Sequence, residues 1–453
     1  MPASVRRRLL SGALAAAIAA PALLLASAPK VAFTDIKLKN GLRVIISEDH
    51  SAPVFSIAVN YNVGSRDERQ GRTGFAHLFE HMMFKGSQNV GPSEHFYLVF
   101  NNGGNMNGTT NNDRTLYFET LPANQLDLAL FLEADRMRSL DITKENLDNQ
   151  RNAVQEERRL GVDNAPYGKT EEAINALAYE NPAYKHSVIG SMADLNAASV
   201  EDVASFFSTY YAPNNAVLAI VGDVNAKDAL DKIRARFESI PSKPAPPKAD
   251  MTEAAQTAER RETIDDPMAN LARVDIVYKT PPERDADQDA LDVLASVLGT
   301  GRSSRLYENI VRQKQLATNA SALNDSRRGP GLFHVTVMVA PGKNSTGAEQ
   351  AVYEQIEAVK NGPIAEWEME KARNSAQRQL AQQLQTSLFR AIMLTEFTLA
   401  FDDPGRINTQ ADRVAAVTAA DVQRVAKKYL TPQDRSVITT VPKGPAAPAK
   451  GGL

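Results

Sequence analysis

The sequence has no cysteine among its 453 residues, which excludes disulfide bonds, thiolate metal ligands and attachment to lipid through a cysteine. Any metal site must therefore use His, Asp or Glu, and histidine is scarce, with six in the chain. No charge of one sign dominates: 51 basic residues stand against 54 acidic ones. The net charge of −3 gives no reason to expect a nucleic-acid partner.

Long apolar runs are absent after residue 28, so we expect no membrane span in the mature chain. Before that point, Arg6–Arg8 precede an apolar run from Leu9 to Leu25, which ends at Ala26-Ser27-Ala28. This pattern is typical of a secretory signal peptide and predicts export to a bacterial periplasm. An uncleaved membrane anchor is the alternative, and Ala20-Pro21-Ala22 offers a second cleavage site.

The length of the chain favours two or more domains. Four prolines, Pro241, Pro244, Pro246 and Pro247, predict an extended linker. We therefore predict the following organisation: a signal peptide (1–28), an N-terminal domain (29–240), a linker (241–260), a C-terminal domain (261–442) and a flexible tail (443–453).

Local patterns predict both strands and helices in the first half. A hairpin is expected from Phe33 to Ser47, with its turn at Asn40-Gly41, and buried strands at 54–63 and 215–224. Amphipathic periods predict helices at 74–85, 93–101, 124–138 and 143–161.

The two halves also resemble each other. Asp202-Val203 is followed eleven residues on by Pro213, and Asp421-Val422 stands at the same distance from Pro432. Each pattern leads into an apolar strand. Two unrelated helix-to-strand units are the alternative. We favour an α+β fold of two duplicated domains, each with an antiparallel or mixed sheet packed with helices.

The segment GFAHLFEHMMFKGS carries the pattern of greatest chemical interest. On a helix, His77 and His81 project from one face and can bind one metal ion, while Glu80 lies close enough to act on a bound water. The order H-x-x-E-H is the inverted zinc-peptidase motif. Two histidines at this spacing are also found as packing or surface residues, which is the alternative.

A third ligand must come from elsewhere, and the helix LDNQRNAVQEERRL offers Glu156 and Glu157. In helical projection Glu157 shares a stripe with Leu147, Ala153, Val154 and Leu160. A carboxylate on an apolar stripe is costly unless it is paired or binds a metal. An ordinary charge at the edge of an amphipathic face is the alternative.

Several segments together resemble the pitrilysin/insulinase family, especially its mitochondrial processing peptidase-like branch. They are NGLRVIISEDHSAPVFSIAVNYNVGSRDE, GFAHLFEHMMFKGS, NAVQEER and YAPNNAVLAIVGDV, and the resemblance covers nearly the whole mature chain. It implies one Zn²⁺ per chain. It also implies a third ligand at the position of Glu157, which lies 76 residues beyond His81. In GGNMNGTTNNDRTLYFE, it implies that Asn107, Gly108, Thr109 and Thr110 form an edge strand that pairs with substrate. Without the resemblance, NGTT reads as a turn.

The chain departs from the family pattern at two places. Gln150 stands where a supporting glutamate is often found. In IVRQKQLATNA, Thr318 replaces an expected tyrosine and Arg312 is out of register, although Tyr307 offers a possible substitute. The second departure implies a heterodimer with a related subunit that lacks H-x-x-E-H and completes the site.

These observations predict a zinc-dependent endopeptidase that hydrolyses peptide bonds in unfolded or short polypeptides, with Glu80 as general base. Residues 29–240 would then be the zinc-peptidase domain, and residues 261–442 a homologous, non-catalytic domain. The alternatives are a non-catalytic structural or binding subunit of a peptidase-like complex and a metal-binding protein without peptidase activity.

Overall fold

The computed structural model describes residues 30–443, so the predicted signal peptide and all but the first residue of the predicted tail lie outside the described residues. Within that range no helix is both long and apolar enough to cross a bilayer. Residues 31–240, the first half, build one sheet, and residues 260–443, the second half, build another.

The first sheet has six strands in the order β1-β2-β6-β3-β5-β4. Their bounds are β1 Thr34–Lys37, β2 Arg43–Glu48, β3 Val54–Tyr61, β4 Asn105–Thr110, β5 Thr115–Pro122 and β6 Ala216–Gly222. The predicted hairpin is present as β1 and β2, and the predicted buried strands are β3 and β6. Because β2 and β6 run parallel and the other pairs antiparallel, the sheet is mixed.

Eight helices accompany these strands in the described part of the first half. They are α1 Phe75–Met82, α2 Glu94–Asn101, α3 Leu126–Arg138, α4 Lys144–Arg158, α5 Gly168–Ala178, α6 Met192–Ala197, α7 Val200–Tyr210 and α8 Ala226–Phe237. The four predicted helices are α1 to α4. The apolar faces of α1, α3, α7 and α8 pack with one face of the first sheet in a single core.

The second sheet has the order β7-β11-β8-β10-β9 and is also mixed, since β7 and β11 are parallel. Its strands are β7 Arg260–Asp266, β8 Arg273–Thr280, β9 Ala317–Asp325, β10 Gly331–Val339 and β11 Arg435–Pro442. The helices are α9 Gln288–Gly299, α10 Ser345–Asn361, α11 Glu366–Leu384, α12 Ser387–Phe401, α13 Gln410–Ala415 and α14 Ala419–Tyr429.

Equivalent contacts in the two halves confirm the duplicated α+β fold. Arg151 on α4 donates to the carbonyl of Ala198 at 2.5 Å, and Arg373 on α11 donates to that of Val417 at 2.9 Å. Ala198 and Val417 each stand directly before the N-cap residue of a helix, α7 and α14 respectively, and both helices start with a reciprocal capping box. The repeat in the sequence therefore reflects one structural unit used twice.

Each half covers the outer face of the other half's sheet with one helix. The apolar side of α12 packs on the first sheet, where Leu394 and Ala391 are buried beside Ala58 and Ala219. In return α5 packs on the second sheet, with Ile174 among Val277 and neighbouring residues. Burial of apolar surface on both faces therefore holds the halves together.

The structure describes all of the proline-rich segment 241–259, which forms neither helix nor strand and is mostly exposed. Gln256 is buried and donates to the carbonyls of Gln433 and Arg435 at 2.9 and 2.7 Å. The domain boundaries set at 241 and 260 stay a prediction.

Candidate metal centre

The helix that carries the histidine motif is fixed at its N-terminus. Gly74 begins α1 with a positive φ of 88°, a conformation that suits glycine. The buried Glu68 carboxylate accepts the backbone N–H groups of Gly74 and Ala76 at 2.8 and 2.7 Å. An acidic group at this end of a helix also interacts favourably with the helix dipole. The helix is thereby held with one face in the core and with His77 and His81 on another.

Glu157, on the last turn of α4, meets both histidines. Its Oε1 lies 3.6 Å from His77 Nε2, and its Oε2 lies 3.4 Å from His81 Nε2. Two donors bound to one tetrahedral zinc ion at roughly 2.0–2.1 Å would lie about 3.3–3.4 Å apart. These two separations and the donor types of the three side chains therefore suit a zinc ion.

The protonation of these groups suits metal binding. Burial, reinforced by His81, lowers the pKa of His77 to about 4, so its imidazole is neutral at ordinary pH. The hydrogen bond with His81 lowers the pKa of Glu157. A metal requires neutral imidazoles and a deprotonated carboxylate, and the pKa shifts of His77 and Glu157 are both in that direction.

His77 Nδ1 is buried and has no hydrogen-bond partner among residues 30–443. A carboxylate usually holds this nitrogen in metal sites. Gln150, which stands at the position of the supporting glutamate, is buried and directs its amide to Asn149 Oδ1 at 2.5 Å. The departure noted in the sequence thus coincides with an incompletely supported histidine.

Glu80 lies between the motif histidines and strand β4. A Cβ added to Gly108 of β4 would lie 2.9 Å from Glu80 Cγ and 3.3 Å from Oε1, so any larger residue there would have to displace the Glu80 side chain. Burial raises the pKa of the Glu80 carboxyl above its usual value. The arrangement places a partly buried carboxyl group close to His81 and Glu157.

Strand β4, which contains Asn107–Thr110, is an edge strand of the first sheet and not an isolated turn. The hydrogen bond from Asn111 N to Arg114 O fixes the alternation along the hairpin, so the backbone groups of Gly108 face away from β5. Gly108 N–H donates instead to Asn107 Oδ1 at 2.9 Å. The free edge of β4 therefore offers backbone groups beside Glu80.

The apolar stripe predicted around Glu157 is only partly present. Leu147 and Val154 are buried, but Ala153 is exposed and Leu160 is 66% exposed. The apolar part of the buried face of α4 therefore ends before Glu157, and the α-helix itself ends at Arg158 and continues as a π-helix from Arg159 to Asp163. Glu156 points to the surface and pairs with Arg159 at 2.9 Å.

A second group of buried ionisable side chains was missed by the sequence analysis. His95 Nε2 lies 2.5 Å from Glu119 Oε1, and Glu133 pairs with Arg136, whose guanidinium lies over the Phe84 and Tyr117 rings. Glu119 lies at an inward position of the alternating strand TLYFETL. A carboxylate at such a position is the feature of the sequence from which this buried group could have been predicted. Since Arg136 already supplies a cation here, we interpret the group as a buried ionic network.

The segment that departs from the family pattern is not part of this centre. Arg312 lies on the surface and pairs with Glu308, and Thr318 is on β9 of the second sheet, where its hydroxyl donates to the carbonyl of Met338.

Comparison with protein families matches both halves. Residues 43–191 match the family described as insulinase (peptidase family M16), and residues 197–376 match the peptidase M16 inactive domain. The match to the inactive domain agrees with the absence of an H-x-x-E-H motif from the second half of the sequence.

Similar proteins include a zinc protease of Helicobacter pylori, PqqE, which is 31% identical over 87% of this chain and 89% of its own length. A probable mitochondrial-processing peptidase subunit beta of Arabidopsis thaliana is 23% identical over 91% of this chain and 78% of its own.

Among solved structures, a protease from Helicobacter pylori matches with a TM-score of 0.87 and 29% identity, covering 91% of this chain and all of that one (100%). The first half of the periplasmic protease PqqL from Escherichia coli shares the fold, with a TM-score of 0.75 and 20% identity over 92% of this chain and 94% of that one.

Proposed function

The chain belongs to the insulinase family of peptidases, family M16, and from this premise we propose that it is a zinc-dependent endopeptidase acting on unfolded or short polypeptides. The observation that carries the proposal is the convergence of His77, His81 and Glu157 within 4.8 Å of one another, with Glu80 beside them. The names of the relatives, which are zinc proteases, support the choice of metal.

His77, His81 and Glu157 would hold one zinc ion per chain. When bound, zinc supplies Lewis acidity, which lowers the pKa of a water molecule and polarises the carbonyl of the scissile bond. The carboxylate of Glu157 and the two neutral imidazoles leave an open position, as catalytic zinc sites require.

Glu80 acts as the general base. Its carboxylate accepts the proton of the attacking water and then delivers it to the leaving amine. Gly108 keeps the space into which the Glu80 side chain extends.

Strand β4 binds the substrate. An extended peptide added to its free edge would align with Asn107–Thr110 through main-chain hydrogen bonds, and this mode of recognition requires an unfolded segment. To accept the peptide, Asn107 Oδ1 must release the N–H of Gly108, which it now binds.

The chain functions after export and with a partner. The signal-peptide pattern of residues 1–28 supports a periplasmic location, and one protein of the same fold is a periplasmic protease. The altered segment around Arg312 and Thr318 supports a heterodimer in which a related subunit without H-x-x-E-H completes the site. Such a subunit would supply groups that stabilise the oxyanion.

Replacement of the base tests the proposal. Glu80→Gln should retain zinc but lose about a hundredfold or more of peptide hydrolysis, because a typical acid–base contribution is of that size. Glu156→Gln is the matched control, since this exposed glutamate pairs only with Arg159 among its charged neighbours in the structure. An active Glu80→Gln variant would refute the role of Glu80. A wild-type chain that binds zinc and peptide without cleavage would favour the binding-subunit alternative.

A further inference from the structure

The turn that joins β4 to β5, residues 111–114, contacts the second half at two points. Asp113 accepts hydrogen bonds from Arg66 Nη1 at 2.7 Å and from the Tyr184 hydroxyl at 2.7 Å. Its other oxygen accepts the backbone N–H of Arg328 at 3.0 Å. Since Arg328 lies between β9 and β10, the tip of the hairpin is attached to the second half.

Arg114 makes the second contact. Its Nε donates to Glu396 on α12 at 2.8 Å, and its Nη1 donates to both the carbonyl and the hydroxyl of Thr109, each at 2.7 Å. The side chain is only 14% exposed. One guanidinium thus joins the backbone of β4 to a helix of the second half.

The position of Glu396 is fixed because α12, which carries it, is packed against the first sheet. Leu394 is fully buried there, and Thr395 accepts a hydrogen bond from Asn60 of β3 at 3.2 Å. Strand β4, in contrast, has a strand neighbour on one side only. An edge strand that must pair with a peptide gains most from a contact that fixes its position before binding.

We infer that Arg114 is a positioning residue, through which Glu396 of the second half fixes the backbone of β4 for peptide binding. The inference rests on the proposed function for what β4 binds. Arginine suits the role because its planar fork donates in two directions at once, whereas a lysine ammonium at the same place would lose this geometry. The second half thereby acts on the site without contributing a group to the metal.

Two variants test this role, Arg114→Lys and Glu396→Ala. Each should raise KM for an unstructured peptide about tenfold, in line with the loss of a hydrogen bond to a charged group, and should change kcat much less. Hydrogen exchange of the β4 amides that face β5, those of Asn107 and Thr109, should become faster, and bound zinc should be unchanged.

Asp49→Ala is the matched control. It removes the ion pair between Asp49 and Arg390, which lies on α12 like Glu396 but away from β4. A purely structural role for Arg114 predicts that the control and the two variants behave alike. The inference is overturned if exchange in β4 stays at the wild-type rate in Arg114→Lys and Glu396→Ala, or if Asp49→Ala accelerates it equally. A wild-type chain without any peptidase activity would refute the proposed function, and the exchange comparison would still decide the role of Arg114.

Discussion

Substitution of Gly108 by alanine tests directly how the Glu80 side chain packs against β4. This glycine lies on β4, and its φ is not in the left-handed region, so alanine fits the backbone. The added methyl group would lie 2.9 Å from Glu80 Cγ, 3.3 Å from Glu80 Oε1 and 3.3 Å from Phe84 Cε2.

The size of the effect follows from these distances. Carbon atoms in contact prefer separations of about 3.5–4.0 Å, so the Glu80 side chain and β4 must separate by roughly 0.6–1 Å. Overpacking of this kind costs about 1–3 kcal/mol of stability, and a displacement of about 1 Å can cost about a hundredfold in rate. We therefore expect Gly108→Ala to fold and bind zinc but to lose about tenfold to a hundredfold in kcat/KM.

The assay compares turnover of a fluorogenic peptide, zinc content after dialysis and the midpoint of urea unfolding. Gly161→Ala is the control, since a Cβ at that position meets no atom within 4 Å although it lies only four residues after Glu157. If Gly108→Ala keeps wild-type kcat/KM, the packing of Glu80 against β4 has no part in catalysis and the reasoning is wrong.

Other substitutions and additions probe the remaining parts of the account. Glu157→Gln should lose zinc on dialysis and Glu156→Gln should not, because only Glu157 meets both histidines; the opposite pattern would overturn the ligand assignment. Burial lowers the pKa of His334 from 6.5 to about 4, so the unfolded chain gains a proton between these pH values and the folded chain does not. The free energy of unfolding should therefore fall by at most about 3 kcal/mol as pH drops from 6.5 to 4 because of His334. In the His334→Asn variant this contribution to the pH dependence should be absent. Urea titrations of both proteins across this pH range can check the prediction. A related, co-exported subunit without H-x-x-E-H should accelerate peptide hydrolysis by the chain, and unchanged full activity of the isolated chain would refute the partner hypothesis.

Local patterns allowed much of the first half to be predicted. The Asn40-Gly41 turn sequence was enough to predict the β1–β2 hairpin, and the amphipathic periodicity of short segments was enough to predict helices α1 to α4. The duplication was also visible, because Asp202-Val203 and Pro213 recur at a fixed offset as Asp421-Val422 and Pro432. The convergence of His77, His81 and Glu157 agrees with the ligand set expected from the motif and the family resemblance.

Contacts between distant parts of the chain were beyond prediction. Glu396 is 282 residues from Arg114, and no local pattern indicates that α12 would cover the first sheet. The π-helix after Arg158 was missed as well, since its wider turn depends on surrounding contacts and not on the period of the segment. The exposure of Ala153 and Leu160 could not be seen in the sequence either, because helical projection shows which residues share a face and not whether that face is covered.

The most direct measurement is the cleavage of unstructured peptides by the purified chain loaded with zinc, followed by mass spectrometry of the products. The account predicts cuts at internal peptide bonds, slow for the chain alone, which disappear with a chelator and return when zinc is restored. A chain that holds one zinc ion yet cuts no peptide, either alone or with a related subunit, would contradict the central claim.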